Sequence, residues 1–158
     1  MADVAELPQG GSFLWEEAGS RKIMAPELFT DEQREFARTA REFTQKEILP
    51  RLASIEAKDP GVVPDLLRKA GELGLLMVDV PEEYGGIAAS KVTSMLVAEQ
   101  FATIGSFAVS LGAHTGIGTL PIVYYGTPEQ KARYLPQIAS GALRLQSFAV
   151  TEPTTGTD

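Results

Sequence analysis

Phe36, Ala40 and Phe43 recur at helical spacing, while Arg34, Arg38, Arg41, Glu42 and Lys46 fill the positions between them. The first strong pattern in the chain is therefore a helix with one buried stripe and a solvated remainder. Thr30-Asp31-Glu32-Gln33 has the form of a capping box and marks its start. Its end is expected near Leu49, because Pro50 disfavours helical geometry in the residue before it. A second helix is expected from Pro64 to Leu73, with Pro64 in the first turn and Gly74 at the left-handed C-terminal position. Pro81-Glu82-Glu83-Tyr84-Gly85-Gly86 reads as a loop. Ser90 can cap a third helix to about Ile104, whose recurrence runs through Val92, Met95, Leu96, Glu99 and Ala102. A fourth is expected from Ser106 to about Ile117. Gly126-Thr127-Pro128-Glu129-Gln130 repeats the start signal, and a fifth helix should run to about Ser140, bent or broken around Pro136 and ended by Gly141. From Leu143 the partial alternation through Val150 has the length of a strand.

This order of elements predicts an extended arm or frayed terminus over 1–26, an all-α domain over 27–142, and the start of a β domain over 143–158. A lone strand leaves its backbone groups unpaired, so the natural protein is expected to continue beyond Asp158.

Charge and composition narrow the partners. A formal net charge of −7, with no cluster of Lys and Arg, disfavours a nucleic-acid surface. The absence of cysteine excludes disulfides, thiolate metal sites and thiol nucleophiles. No metal site is expected. The first residues carry acid where a secretory leader carries base, so the reading is a cytoplasmic protein. Gln100 to Pro128 holds no Asp, Glu, Lys or Arg, which is long enough to span a bilayer. Its glycines, Pro121 and missing flanking charge bias favour a buried helix pair instead, so no integral membrane span is expected.

Among candidate chemical groups, His114 lies in an apolar, glycine-containing helix with no acid near it in sequence, which favours a packed core or pocket-wall role over a catalytic triad. Gly112, Gly116 and Gly118 fall inside the same helix and do not form a phosphate cradle. They serve either close helix packing or a groove in which a long apolar ligand can lie. Glu82, Glu83 and Glu99 read as solvated or cap-like. The closing Thr151-Glu152-Pro153-Thr154-Thr155-Gly156-Thr157 segment combines hydroxyls with approachable backbone amides. That suits either an ordinary turn or a polar ligand such as a flavin edge or a pyrophosphate.

Phe148-Ala-Val-Thr-Glu-Pro-Thr-Thr-Gly-Thr-Asp158 resembles the flavin-binding signature of the acyl-CoA dehydrogenases. The Pro81–Gly86 loop, the Leu111-Gly-Ala-His114 helix, the Gly126–Pro136 segment and Ser140-Gly141 follow in the family's order, so the resemblance extends over 30–158. It implies an all-α amino-terminal helical bundle joined to the first strand of a truncated central β domain, with a carboxy-terminal helical domain absent here. By resemblance, Phe148, Ala149, Val150, Thr151, Glu152, Pro153, Gly156 and Thr157 line an FAD site, with Thr151 offering a hydroxyl to the ring. Thr157 stands where the family usually has a substrate-touching Ser; it keeps the hydroxyl and adds a methyl. Thr154 and Thr155 replace residues that are often Gly and Ala.

The implied reaction is α,β-dehydrogenation of a fatty acyl-CoA thioester, with electrons passed to an electron-transfer flavoprotein or similar acceptor, in a homo-oligomer when full length. The catalytic base is expected beyond Asp158, so the chain alone should be inactive. The helix around Leu111–Gly118 and the Gly10–Leu14 arm resemble the long-chain and very-long-chain branch, with Gly112 and Gly116 deepening the acyl pocket. Rivals are an acyl-CoA oxidase of the same fold and a non-catalytic helical module that binds acyl chains or a partner helix.

Overall fold

The computed structural model describes residues 25–143, together with 11, 14–17, 20, 153 and 154. Two compact units are distinguishable, Met1–Thr30 and Asp31–Asp158, where the sequence reading ended the arm at 26. In the first, the described residues include tight turns, Leu14 N–H donating to Gly11 O at 2.9 Å and Ser20 N–H to Glu17 O at 3.0 Å, and extended backbone at Ala25 and Phe29. Pro26–Leu28 forms a single 3-10 turn with Pro at its start.

The second unit is helical, and no strand occurs among its described residues. Its helices are α1 (Asp31–Phe43), α2 (Leu52–Glu56), α3 (Val62–Glu72), α4 (Lys91–Glu99), α5 (Gly105–Gly112), α6 (Leu120–Tyr125) and α7 (Pro128–Ala139). α1 lies along α4, α5 packs on α2 and α3, and α7 packs on α6 and on the Glu82–Tyr84 turn. The buried stripe expected of α1 is present: Ala40 and Phe43 are buried and Phe36 packs partly buried against the same core.

Helical backbone does not stop at Pro50. It continues from α1 through a π turn, Thr44–Ile48, and a 3-10 turn, Leu49–Arg51, into α2. A proline ring inside a straight α-helix collides with the carbonyl of the preceding turn, and the wide π turn relieves that collision just ahead of Pro50. The buried Thr44 hydroxyl donates to Ala40 O at 2.9 Å and to Gln100 O at 3.1 Å, tying the π turn to the end of α4. Arg51 pairs with Asp65 at 2.9 Å and Lys69 with Glu47 at 2.5 Å, clamping the same segment to α3. The guanidinium groups of Arg68 and Arg51 hold the Asp65 carboxyl below its ordinary range.

α3 starts earlier than expected, at Val62, which leaves Pro64 in the first turn. Gly74 follows at φ +78°, in the left-handed region expected of it. In α4 the cap is as expected, with Ser90 Oγ accepting from Thr93 N–H at 3.3 Å. The helix ends at Glu99, short of Ile104, and its buried face holds Thr93 and Val97. Met95 is 72% exposed and Val92 and Leu96 are half-buried, so the expected stripe lies beside the buried face rather than on it.

The start of α7 is a complete capping box: Thr127 Oγ1 accepts from Gln130 N–H at 3.3 Å and Gln130 Oε1 accepts from Thr127 N–H at 2.9 Å. α7 runs unbroken through the exposed Pro136 to Ala139, and Gly141 then turns the chain at φ +74°. Replacing Thr127 by Ala should cost about 1 kcal/mol, read from the urea midpoint of the chain. Leu143, expected to begin the strand, is half-buried against Val80, Leu135 and Ile138, and its N–H donates to Gln137 O at 2.9 Å. It closes the helical domain; the remainder of the expected strand, 144–150, lies outside the described residues.

The core has a large and a small part. Phe43, Phe101 and Phe107 meet at its centre, with ring centroids 5.8 to 6.4 Å apart in tilted and edge-on arrangements. Ile48, Leu66, Leu67, Leu75, Leu76 and Leu111 surround them. A smaller cluster of Val80, Leu135, Ile138 and Ala139 sits under α7.

Candidate functional site

α5 does not end as a free helix. A π turn, Ala113–Gly118, joins it to α6, and Gly105–Tyr125 forms one continuous helix of 21 residues, longer than the expected Ser106–Ile117. By length and composition alone this helix qualifies to cross a membrane. Its inward positions Phe107, Leu111, His114 and Gly118 are buried within the domain, so one face packs on the core while 28% of its apolar window is buried in all.

The outward flank is different in character. Val109 is 72% exposed and Ile117 53%, large apolar side chains on a helix segment without a charge. Among the described residues, a Cβ placed at Gly112 or Gly116 would meet no heavy atom within 4 Å, so neither glycine serves close packing against them. Both leave open space beside the helix. Three hydroxyls of this helix turn back on its own backbone: Ser110 donates to Ser106 O at 3.2 Å, Thr115 to Leu111 O at 3.0 Å, and Thr119 to His114 O, while Ser106 at its start donates to Glu56 Oε1 at 2.6 Å. The flank can cover an apolar chain and exclude water from it; it holds no group suited to proton transfer.

On the core side, a cleft of about 50 Å³ lies between α4 and α5, lined by Val97, Ala98, Leu111 and Thr115 with Asp79 and Ser94 at one end. It is far smaller than the roughly 300–1,000 Å³ of small-molecule sites, so it is a packing gap. Asp79, which sequence reasoning passed over, anchors that end: its carboxylate accepts from Ser94 Oγ at 2.9 Å and pairs with Lys91, whose ammonium lies 5.7 Å from the Tyr124 ring centroid. No motif marks Asp79; only the fold brings it to α4.

His114 is fully buried, in agreement with the core reading. Its Nε2 lies 3.1 Å from Ile138 O. A carbonyl only accepts, so Nε2 carries the proton. Burial holds the imidazole pKa below its ordinary value. The unfolded chain then takes up a proton near pH 6.5 that the folded chain refuses, so stability is full above that pH and falls below it. The slope cannot exceed the one-proton limit of about 1.4 kcal/mol per pH unit. A His114→Gln variant should lose this slope in unfolding titrations between about pH 6.5 and 5, above the range of ordinary carboxylates.

Glu82 and Glu83 are exposed in their 3-10 turn and Glu99 is exposed at the end of α4, in keeping with solvated roles. Of the signature, Phe148, Ala149, Val150, Thr151, Glu152, Gly156 and Thr157 lie outside the described residues; Pro153 and Thr154 form an exposed bend. Among the described residues no group of three or more His, Cys, Asp or Glu is arranged to hold a metal ion.

Residues 30–142 match the family model for the acyl-CoA dehydrogenase N-terminal domain. The chain belongs to the acyl-CoA dehydrogenase family. It is 46% identical over 154 residues to a probable acyl-CoA dehydrogenase of Bacillus subtilis, covering 98% of this chain and 26% of that protein. It superimposes on the crystal structure of an acyl-CoA dehydrogenase complexed with FAD from Bacillus anthracis with a TM-score of 0.85 and 48% identity, over 94% of this chain and 26% of that one. Butyryl-CoA dehydrogenase from Megasphaera elsdenii gives a TM-score of 0.70 at 29% identity, over 82% of this chain and 34% of that one. The chain thus spans about a quarter to a third of the length of these relatives.

Proposed function

We propose that this chain is the amino-terminal helical domain and flavin-signature segment of an FAD-dependent acyl-CoA dehydrogenase acting on long-chain acyl-CoA, with the catalytic base beyond Asp158. The observation that carries the substrate class is the open apolar flank at Val109, Gly112, Gly116 and Ile117, where the neighbouring Ser110 and Thr115 hydroxyls are spent on the helix's own backbone. A thioester with a long hydrocarbon tail matches such a surface, because burying each methylene contributes about 0.8 kcal/mol.

The signature supplies a donor set suited to FAD: the Thr151 and Thr157 hydroxyls and the amides around Gly156, with the bend at Pro153 and Thr154 exposed. When bound, FAD supplies a hydride acceptor. The chain's own part is to hold the ring edge with Thr151, to contact substrate with Thr157, and to keep water from the acyl chain with the helix flank. Electrons pass on to an electron-transfer flavoprotein or similar acceptor. A cytoplasmic homo-oligomer completes the reading.

In the full-length enzyme, Gly116→Leu places a side chain in the open space beside the helix. It should lower kcat/KM for the longest acyl-CoA by roughly tenfold or more while sparing short ones. An active enzyme with an unchanged chain-length profile would remove the flank from the acyl site.

A further inference from the structure

His114 poses a question that packing alone does not answer. An imidazole at zero exposure costs desolvation free energy that a leucine or phenylalanine at the same place would not. The carbonyl it contacts, Ile138 O, also accepts from Gly141 N–H at 3.1 Å, so the ring is not required to satisfy that acceptor. What the ring does is join two elements at a fixed distance: the π turn of the Gly105–Tyr125 helix and the last turn of α7. The other side of the same turn is closed by Thr119, whose N–H donates to Gly116 O and whose buried hydroxyl donates to His114 O. Gly116, on the open flank, is therefore held within a turn that is tied to α7 at one end and closed on its own backbone at the other.

We propose that His114 is a positioning residue for acyl-chain selection: through its bond to Ile138 O it fixes the π turn against α7 and thereby sets the room beside Gly112 and Gly116. This rests on the reading of that flank as the acyl surface. π turns inside α-helices are unfavourable on their own and recur at functional sites. Here a polar contact retained in an apolar core does the holding. Without it, the turn can relax toward an ordinary α-helical path, which narrows and shifts the flank.

The test uses the full-length, flavin-loaded enzyme and measures kcat and KM for butyryl-, octanoyl- and palmitoyl-CoA. His114→Phe fills the volume without a donor; His114→Gln restores a nitrogen donor. His114→Phe should lower the palmitoyl-to-butyryl ratio of kcat/KM by about fivefold, the equivalent of one neutral hydrogen bond. The change should fall in KM, and His114→Gln should return most of it. Thr119→Val, which removes the hydroxyl that closes the other end of the turn, should move the ratio in the same direction and carries the test alone if His114→Phe does not fold. An unchanged ratio in these variants overturns the proposal, as does a ratio that shifts in His114→Phe but is not restored by His114→Gln. A wild-type enzyme inert toward all three thioesters would instead sink the functional reading itself, a result distinct from either.

Discussion

Phe107→Ala should lower the unfolding free energy of the chain by about 3–5 kcal/mol, a large part of the roughly 5–15 kcal/mol available to an ordinary domain. Phe107 is completely buried, with its ring 6.4 Å from Phe43 and 5.8 Å from Phe101 by centroid. It joins α5 to α1 and to the turn after α4. Truncation removes contacts from both neighbours and leaves a hole that close-packed surroundings refill only in part. The urea midpoint should drop with little change in slope. Val109→Ala, two residues along the same helix but on its 72% exposed flank, should stay within about 0.5 kcal/mol of the parent. Equal losses at the two positions would mean that the helix is rotated from the orientation described.

Gly86→Ala should be as damaging for a different reason. A Cβ there would stand 1.9 Å from Val80 O and 2.3 Å from Val80 C, backbone atoms of a buried residue. Val80 cannot move aside, because its carbonyl accepts from Ala88 N–H at 2.9 Å, and Met77 O and Val78 O accept from Ile87 and Ala89 in the same folded-back loop. The loop has to open, at a cost on the order of 4 kcal/mol or more, read from denaturant unfolding. Gly85→Ala makes the contrast. Its neighbourhood is empty but its φ is +82°, so only the left-handed penalty of about 1–2 kcal/mol applies.

Local signals were legible where one residue's own chemistry decides the outcome. Thr127 with Gln130, Ser90, Gly74 and Gly141 each do what their donor sets or conformational freedom predict. The failures all concern elements whose shape is set by neighbours. Pro50 ends a helix in isolation, yet the π turn before it, held by the Thr44 hydroxyl on two carbonyls, lets the helical path continue. Met95 looked like core by spacing. The buried face of α4 instead runs through Thr93, whose hydroxyl sits 3.1 Å from Ser90 Oγ, and a polar residue on a buried face is hidden from a reading of apolar periodicity. The same limit applies to the candidate site. Spacing alone could not tell whether a neighbouring element packs on Gly112 and Gly116, and among the described residues none does. The contact of His114 with Ile138, 24 positions away, has no local signature at all.

The most direct test of the functional account is the visible spectrum of the purified native protein that contains this chain, recorded anaerobically before and after addition of palmitoyl-CoA. The account predicts a yellow protein whose flavin band bleaches on addition of the thioester, with enoyl-CoA as product. A protein without flavin absorbance, or a flavin band that no acyl-CoA bleaches, would contradict it.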